Sequence, residues 1–505
     1  MNFRILSCSL ILAFVSAPGF AQSSGSVAAP AQQTETPGSA GTVRADLKPV
    51  LGWTTWDGLR LNASSAKDEA MAQAMVSSGL SKLGYEYINQ DDGWYECPGG
   101  PDGPGGQRSK GVGAPAIDQW GRWVPNSRFA AQGSTNGIKA LADYVHSLGL
   151  KFGLYTTPGI SLQAVMAKTP VEANANGHLL GKPSGYTADQ ITNYTEIHNY
   201  YCGGMVGLDY SSPGAQLFVN SFADMLASWG VDFLKLDANR LGNKEEIIAW
   251  SRALRQTGRP IIFDAAEGYT VKLAPTLQKY ADQWMQVSDI QCYSCNKGAD
   301  TDSIFPLKYA FPLTQWHDAA GWDLWLGTRG VIARFDYLAK WQPHLIPGAF
   351  LDLDAIDVGN GDNNGISFDA RKTELSLWSL ASSPMILGSD LRNLVPEDLA
   401  LLRNREVLAV DQDGIAARRV LKKGNQQVFA KREHGGDVIV GLFNTGQATP
   451  ERIAISLEAL GLGPDSGTYV LNDLWSHQKT RTSGKITADV PPEGVALYRV
   501  TRSEH

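Results

Sequence analysis

The chain has 505 residues, 43% of them hydrophobic and 19% charged, enough for a large buried core and long for a single domain. Its formal net charge of −7 removes the electrostatic case for nucleic acid or an anionic membrane surface as partner. What remains is an uncharged or small partner.

The first 21 residues, MNFRILSCSLILAFVSAPGFA, carry Arg4, an apolar run from Ile5 to Val15 and small residues Gly19 and Ala21, the layout of a cleaved export signal. The run is too short to span a bilayer. Residues 22–45 are rich in Ser, Ala, Gly, Gln and Thr and are expected to form a disordered linker. Export permits disulfides among the four remaining cysteines, Cys97, Cys202, Cys292 and Cys295. Cys292 and Cys295 have metal-like spacing, yet no second pair follows, so a disulfide or free thiols is the expectation and no metal is implied.

From Leu47 onward one theme repeats: a short apolar strand, a polar loop, an amphipathic helix. Strands are predicted at 51–55, 85–90, 151–157, 233–237, 259–265, 282–288, 348–354 and 383–389. Between the second and third, Ile138, Leu141, Ala142, Val145 and Leu148 follow helical spacing. Eight alternating units predict a (β/α)8 TIM barrel over 46–415, its active site at the C-terminal strand ends, with a long insertion around 156–215. Past residue 416 the period falls to two with frequent turns, as in QQVFAKRE and DVIVGLFNTG, predicting a C-terminal antiparallel β-sandwich over 416–505.

Within the fourth strand, FLKLD, alternation puts Phe233, Lys235 and Asp237 on one face. A barrel has no strand edge on which a lysine and an aspartate could pair in solvent, so both are expected inside, Asp237 at the mouth. Other strands end in the same chemistry: Asp91 and Asp92 close the second, Tyr155 the third, Glu267 follows the fifth, Asp289 the sixth, and Asp352 and Asp354 close the seventh. A carboxylate ring suits a metal centre or a glycosidase. No histidine stands at these ends, and in NGDNNG the position where a calcium loop needs Glu is Arg371, so that stretch reads as a plain loop. For a glycosidase, Lys235 would keep Asp237 ionised as a nucleophile, while apolar surroundings would keep Asp289 protonated as an acid. Trp56, beside Trp53 in LGWTTWDG, could offer a platform for a sugar ring; core packing is the alternative for each.

These stretches resemble the α-galactosidase (melibiase) family of retaining glycoside hydrolases, family 27, from about Leu51 to Gly414. LGWTTWDGLRLN is similar to its first-strand motif, YEYINQDDGW to its IDDCW-type motif, WGVDFLKLD to its nucleophile strand, and LSLWSLASSPMILGSDLRNL to its closing segment. The resemblance implies Asp237 as nucleophile and Asp289 as acid/base. It implies that Asp91 and Asp92 hold the 4- and 6-hydroxyls and Lys235 the 3- and 4-hydroxyls, that Trp56 and Tyr155 line the pocket, that Glu267 faces the 2-position, and that Asp354 belongs to the substrate-binding set. It implies a carbohydrate substrate and no metal or organic cofactor. Met285 stands where the family often has Arg near the 2-hydroxyl, Ala355 where it often has Met, and Gly93 where it has a cysteine. The sugar therefore stays open among α-D-galactoside, α-N-acetylgalactosaminide, β-L-arabinopyranoside and α-glucan, with non-catalytic sugar binding as the alternative from another class. The tyrosine-rich insertion, with Tyr186, Tyr194, Tyr200 and Tyr201, either packs on the barrel or forms the rim that meets the leaving group. A secreted or periplasmic location follows from the export signal; oligomeric state is not legible.

Overall fold

The computed structural model describes residues 44–98, 113–129, 137–197, 199, 201–237, 243–266, 269–285, 289–290, 330–463 and 467–503. The export signal, most of the linker, Glu267, Tyr200, Cys292 and Cys295 lie outside these.

The eight predicted strands form one parallel sheet: Leu51–Thr54, Tyr87–Gln90, Lys151–Thr156, Phe233–Leu236, Ile262–Ala265, Gln283–Met285, Phe350–Asp352 and Met385–Leu387. The first five follow chain order as neighbours, the sixth and seventh extend one edge, and the eighth pairs with the first. Closure between seventh and eighth falls to one parallel bridge just beyond the seventh strand, where Ile356 N–H donates to the Ile386 carbonyl and Gly388 N–H to that of Ile356. This curled parallel sheet is the predicted (β/α)8 barrel.

Helices cover the outside because their apolar stripes have nowhere else to go. Gly137–Ser147 buries Ile138, Leu141, Ala142 and Val145, and Gly149, at φ +75°, turns the chain back into the third strand. Asn243 caps Lys244–Gln256 by accepting from Glu245 N–H, and Ser367 caps Phe368–Ala381 by accepting from Ala370 N–H.

Inside the barrel every strand obeys the same alternation. Tyr87, Phe233, Ile262 and Ile386, with Val50 and Leu47, form an apolar plug at the bottom. Polar residues lie two positions beyond three of these: Asn89, Lys235 and Asp264. Gly153 belongs to this layer because a Cβ there would stand 2.0 Å from Asn89 Oδ1. The plug seals one end, so chemistry is confined to the other.

Two expectations need correction. The linker was expected to run through residue 45, but Arg44 is already docked: its guanidinium pairs with Asp282 at 2.8 Å and its carbonyl accepts from Leu47 N–H. The insertion is more regular than a loop. It carries Ile160–Ser161, Met205–Leu208 and Thr192–Ile197 as one small sheet and Pro170–Ala175 with His178–Thr187 as a hairpin. It is stapled to the loop after the second strand by the Cys97–Cys202 disulfide, a pairing the sequence left open.

Beyond Arg418 a six-stranded antiparallel sheet faces a two-stranded one, Glu451–Ser456 with Lys485–Val490, around its own apolar core. It seats on the barrel through Phe335 against Phe443, with ring centres 5.0 Å apart, and through buried Lys431, whose ammonium donates to the Val410 carbonyl.

Candidate active site

The open end of the barrel is lined by Asn89, Asp91, Tyr155, Lys235, Asp264, Met285, Asp352, Asp354 and Ala355, among others. Lys235 sits at its centre. Its ammonium lies 2.9 Å from Asp91 Oδ2 and 4.0 Å from Asp237 Oδ2. Strand alternation predicted the second contact; the tighter first one crosses the barrel from the second strand. Burial alone would depress the lysine, yet Asp91, Asp237 and Asp289 together hold its pKa well above the ordinary value. Asp91 and Asp237 therefore meet one ammonium, and the charge of Asp289 acts on it as well.

Asp91 is held from three sides. Thr55 Oγ1 accepts from its N–H, Asp92 N–H donates to its Oδ1, and Lys235 donates to its Oδ2. Its neighbour Asp92 is 2% exposed and meets no cation among the described residues; burial, helped by Asp91 and Asp237 and opposed by hydrogen bonds from Tyr95 and Gly93, pushes its pKa up to about 7. The two adjacent acids thus sit in different surroundings, Asp91 against the Lys235 ammonium and Asp92 in a buried site that favours its neutral form. Tyr155 is 2% exposed and its hydroxyl is pushed well up by burial, with Asp92 and Asp237 nearby.

At the far side, Asp354 has φ +84°, a backbone state uncommon outside glycine and tolerated best by Asn and Asp. Its Oδ2 accepts from Ile290 N–H and its Oδ1 from Ala355 N–H, with Arg334 3.4 Å away. Burial and the charge of Asp289 raise it to about 7. The sequence placed Asp354 with the substrate-binding residues; it lines the cavity, and its Oδ2 also holds the backbone next to Asp289 while its Oδ1 closes its own turn. Asp289 itself is half-buried.

Trp53 is fully buried, its indole N–H donating to the Ser389 carbonyl, so packing is its role. Trp56 is half-buried with the Arg60 guanidinium 5.5 Å from its ring centre. Met285 packs with Ala266 and Tyr337, leaving that wall of the cavity apolar. Of the tyrosines in the insertion, Tyr201 is buried, Tyr186 packs against Gly214, and Tyr194 is 61% exposed. Asp264 went unnoticed in the sequence although it obeys the rule that found Lys235: it faces inward from the fifth strand, where burial and Asp352 raise it well above the carboxylate range.

Behind the site, Glu374 on helix Phe368–Ala381 is fully buried with neither carboxyl oxygen hydrogen-bonded, and burial pushes its pKa to about 8. A carboxyl that binds its proton more tightly folded than unfolded lowers stability as pH rises from its unfolded value, about 4.5, through its folded one. Glu374→Gln should match the wild type near pH 5 and exceed it by about 3 kcal/mol or more near pH 8. Thermal unfolding at the two pH values checks this; an equal Tm difference at both would contradict it.

Residues 314–413 match the family described as Alpha galactosidase A, and residues 423–500 match the Alpha galactosidase C-terminal beta sandwich domain. The chain is 29% identical over 463 residues to an alpha-galactosidase of Coffea arabica, covering 90% of this chain and 94% of that one. It is 28% identical over 465 residues to alpha-galactosidase 2 of Arabidopsis thaliana, covering 90% of each. Its structure is similar to that of a family 27 β-L-arabinopyranosidase from Geobacillus stearothermophilus, with TM-score 0.72, 26% identity and coverage of 90% of this chain and 96% of that one.

Proposed function

The chain belongs to the α-galactosidase (melibiase) family of glycoside hydrolases, family 27, and from that premise we propose that it is a retaining exo-glycosidase releasing terminal α-D-galactosyl residues. The observation that carries the reading is Lys235 at the open end of a plugged barrel, its ammonium 2.9 Å from Asp91 and 4.0 Å from Asp237. The named relatives support the sugar.

Asp237 attacks the anomeric carbon as Asp289 gives its proton to the glycosidic oxygen. The aglycone leaves, and the sugar remains as an ester of Asp237. Asp289, now a carboxylate, takes a proton from water, whose oxygen attacks the same carbon and frees Asp237; two inversions give net retention. Lys235 favours the ionised form of Asp237 and, with Asp91, presents a charged pair to the sugar hydroxyls. Tyr155 lines the same cavity, Trp56 stands at the end of the first strand, and Asp92 and Glu267 remain expectations for the sugar hydroxyls. Asp354 serves through the backbone it holds beside Asp289. The assignment outside the cytoplasm rests on the export-signal layout and is supported by the Cys97–Cys202 bond; among the described residues no helix is long and apolar enough to cross a membrane.

The second reading is β-L-arabinopyranoside, favoured by the Geobacillus structure. That sugar has the galactose ring without its hydroxymethyl group. Nitrophenyl α-D-galactoside and β-L-arabinopyranoside, compared by kcat/KM, separate the two: the galactoside should be cleaved faster, and faster cleavage of the arabinopyranoside would reassign the enzyme.

A further inference from the structure

Tyr95, fully buried, places its hydroxyl 2.8 Å from Asp92 Oδ1 and 2.7 Å from Asn199 Oδ1. Asn199 belongs to the insertion, and the same Oδ1 accepts from Cys202 N–H at 2.9 Å, which fixes the end of the amide that faces Tyr95. A phenol has one proton to donate and here meets two oxygens. If Asp92 were ionised, one of the two short oxygen–oxygen contacts would have no hydrogen between its atoms. The balance closes when Asp92 is neutral: its carboxyl donates to the Tyr95 oxygen, and Tyr95 donates to Asn199. Asp92 also accepts from Gly93 N–H and, across the insertion, from Tyr201 N–H. The Cys97–Cys202 disulfide ties the Tyr95 loop to the segment carrying Asn199 and Tyr201.

We propose that Tyr95 is a positioning residue of the sugar site, whose hydroxyl bridges Asp92 to Asn199 and so holds the carboxyl group in one fixed orientation toward the terminal sugar. The proposal rests on the glycosidase reading above and deepens it: the insertion becomes part of what shapes the sugar pocket, in addition to any contact it makes with the leaving group. Burial is the largest influence on Asp92 and, with Asp91 and Asp237, outweighs the hydrogen bonds of Tyr95 and Gly93, which pull toward the ionised form; Tyr155 and Tyr201 are further titratable groups near the cluster among the described residues. As pH rises through about 7 Asp92 ionises, Tyr95 turns its proton to the carboxylate, and the tie to Asn199 is released.

The test is Tyr95→Phe in the full chain. It keeps the ring that packs 4.1 Å from Trp123 and 5.3 Å from Tyr201, measured between ring centres. With nitrophenyl α-D-galactoside, KM should rise about tenfold with kcat within about threefold, and calorimetric Kd for galactose should rise alike. Wild-type affinity for galactose should fall between about pH 6 and pH 8. Unchanged KM and Kd in the variant, or a flat wild-type affinity over that range, would overturn the proposal. Should Tyr95→Phe fail to fold, Asn199→Ala removes the far end of the relay: a Kd raised about threefold or more supports the lock, and an unchanged one defeats it. A wild type that hydrolyses galactoside while Tyr95→Phe behaves identically defeats this proposal alone; a wild type that neither cleaves nor binds any sugar defeats the glycosidase reading and this with it.

Discussion

Replacing Asp237 with Ala should lower kcat/KM for an α-galactoside by about 10^4-fold or more, a loss of about 5 kcal/mol in the transition state. The side chain sits where the fourth strand ends, 4.0 Å from the Lys235 ammonium, above a barrel whose floor is closed by Phe233, Tyr87, Ile262 and Ile386. Without it, no group at that point can form the ester. Sugar affinity should survive, because Asp91 and Lys235 keep their 2.9 Å pair and Asp92 keeps its own partners. Steady-state kinetics with galactose calorimetry on the same preparation checks both halves. Turnover within about tenfold of wild type would remove Asp237 from the nucleophile role, and joint loss of turnover and affinity would recast it as a binding residue.

Asp289→Ala should show a different signature. An acid that protonates the departing oxygen matters most when the leaving group is poor, so kcat/KM should fall steeply for alkyl or sugar aglycones and much less for activated nitrophenyl ones. Breakdown of the glycosyl ester then becomes slow, since no carboxylate deprotonates water. Azide needs no such help and should restore turnover while producing a galactosyl azide. The structure ties this residue to Asp354, which accepts from the Ile290 N–H next to Asp289 and feels its charge. Equal damage across leaving groups, with no azide effect, would take the acid/base role from Asp289.

Much of this was readable from alternation alone. Once FLKLD is a barrel strand, Lys235 and Asp237 must face inward, and the eight strand positions need only short apolar runs between helical stretches. Asp264 and Asn89 obey the same rule and could have been found by applying it to every strand. Other features have no local signature. Asp91 reaches Lys235 across 144 residues, and Tyr95 meets Asn199 across 104. Such contacts depend on how strands stagger around the barrel and how the insertion folds back, neither of which a residue's neighbours encode. Arg44 lay in a stretch whose composition reads as linker, and one distant carboxylate, Asp282, was enough to dock it. The positive φ of Asp354, and the contact of its carboxyl with the Ile290 N–H 64 residues away, likewise have no local signature.

That Asp237 and Asp289 serve one bond, from opposite sides, is tested most directly by trapping the ester. The enzyme is incubated with a 5-fluoro galactosyl fluoride, which slows release of the bound sugar, and then digested and mapped by mass spectrometry. One fluorosugar per chain on the peptide carrying Asp237 is the result expected. Label on any other carboxylate, or turnover that yields inverted galactose with no label at all, would contradict it.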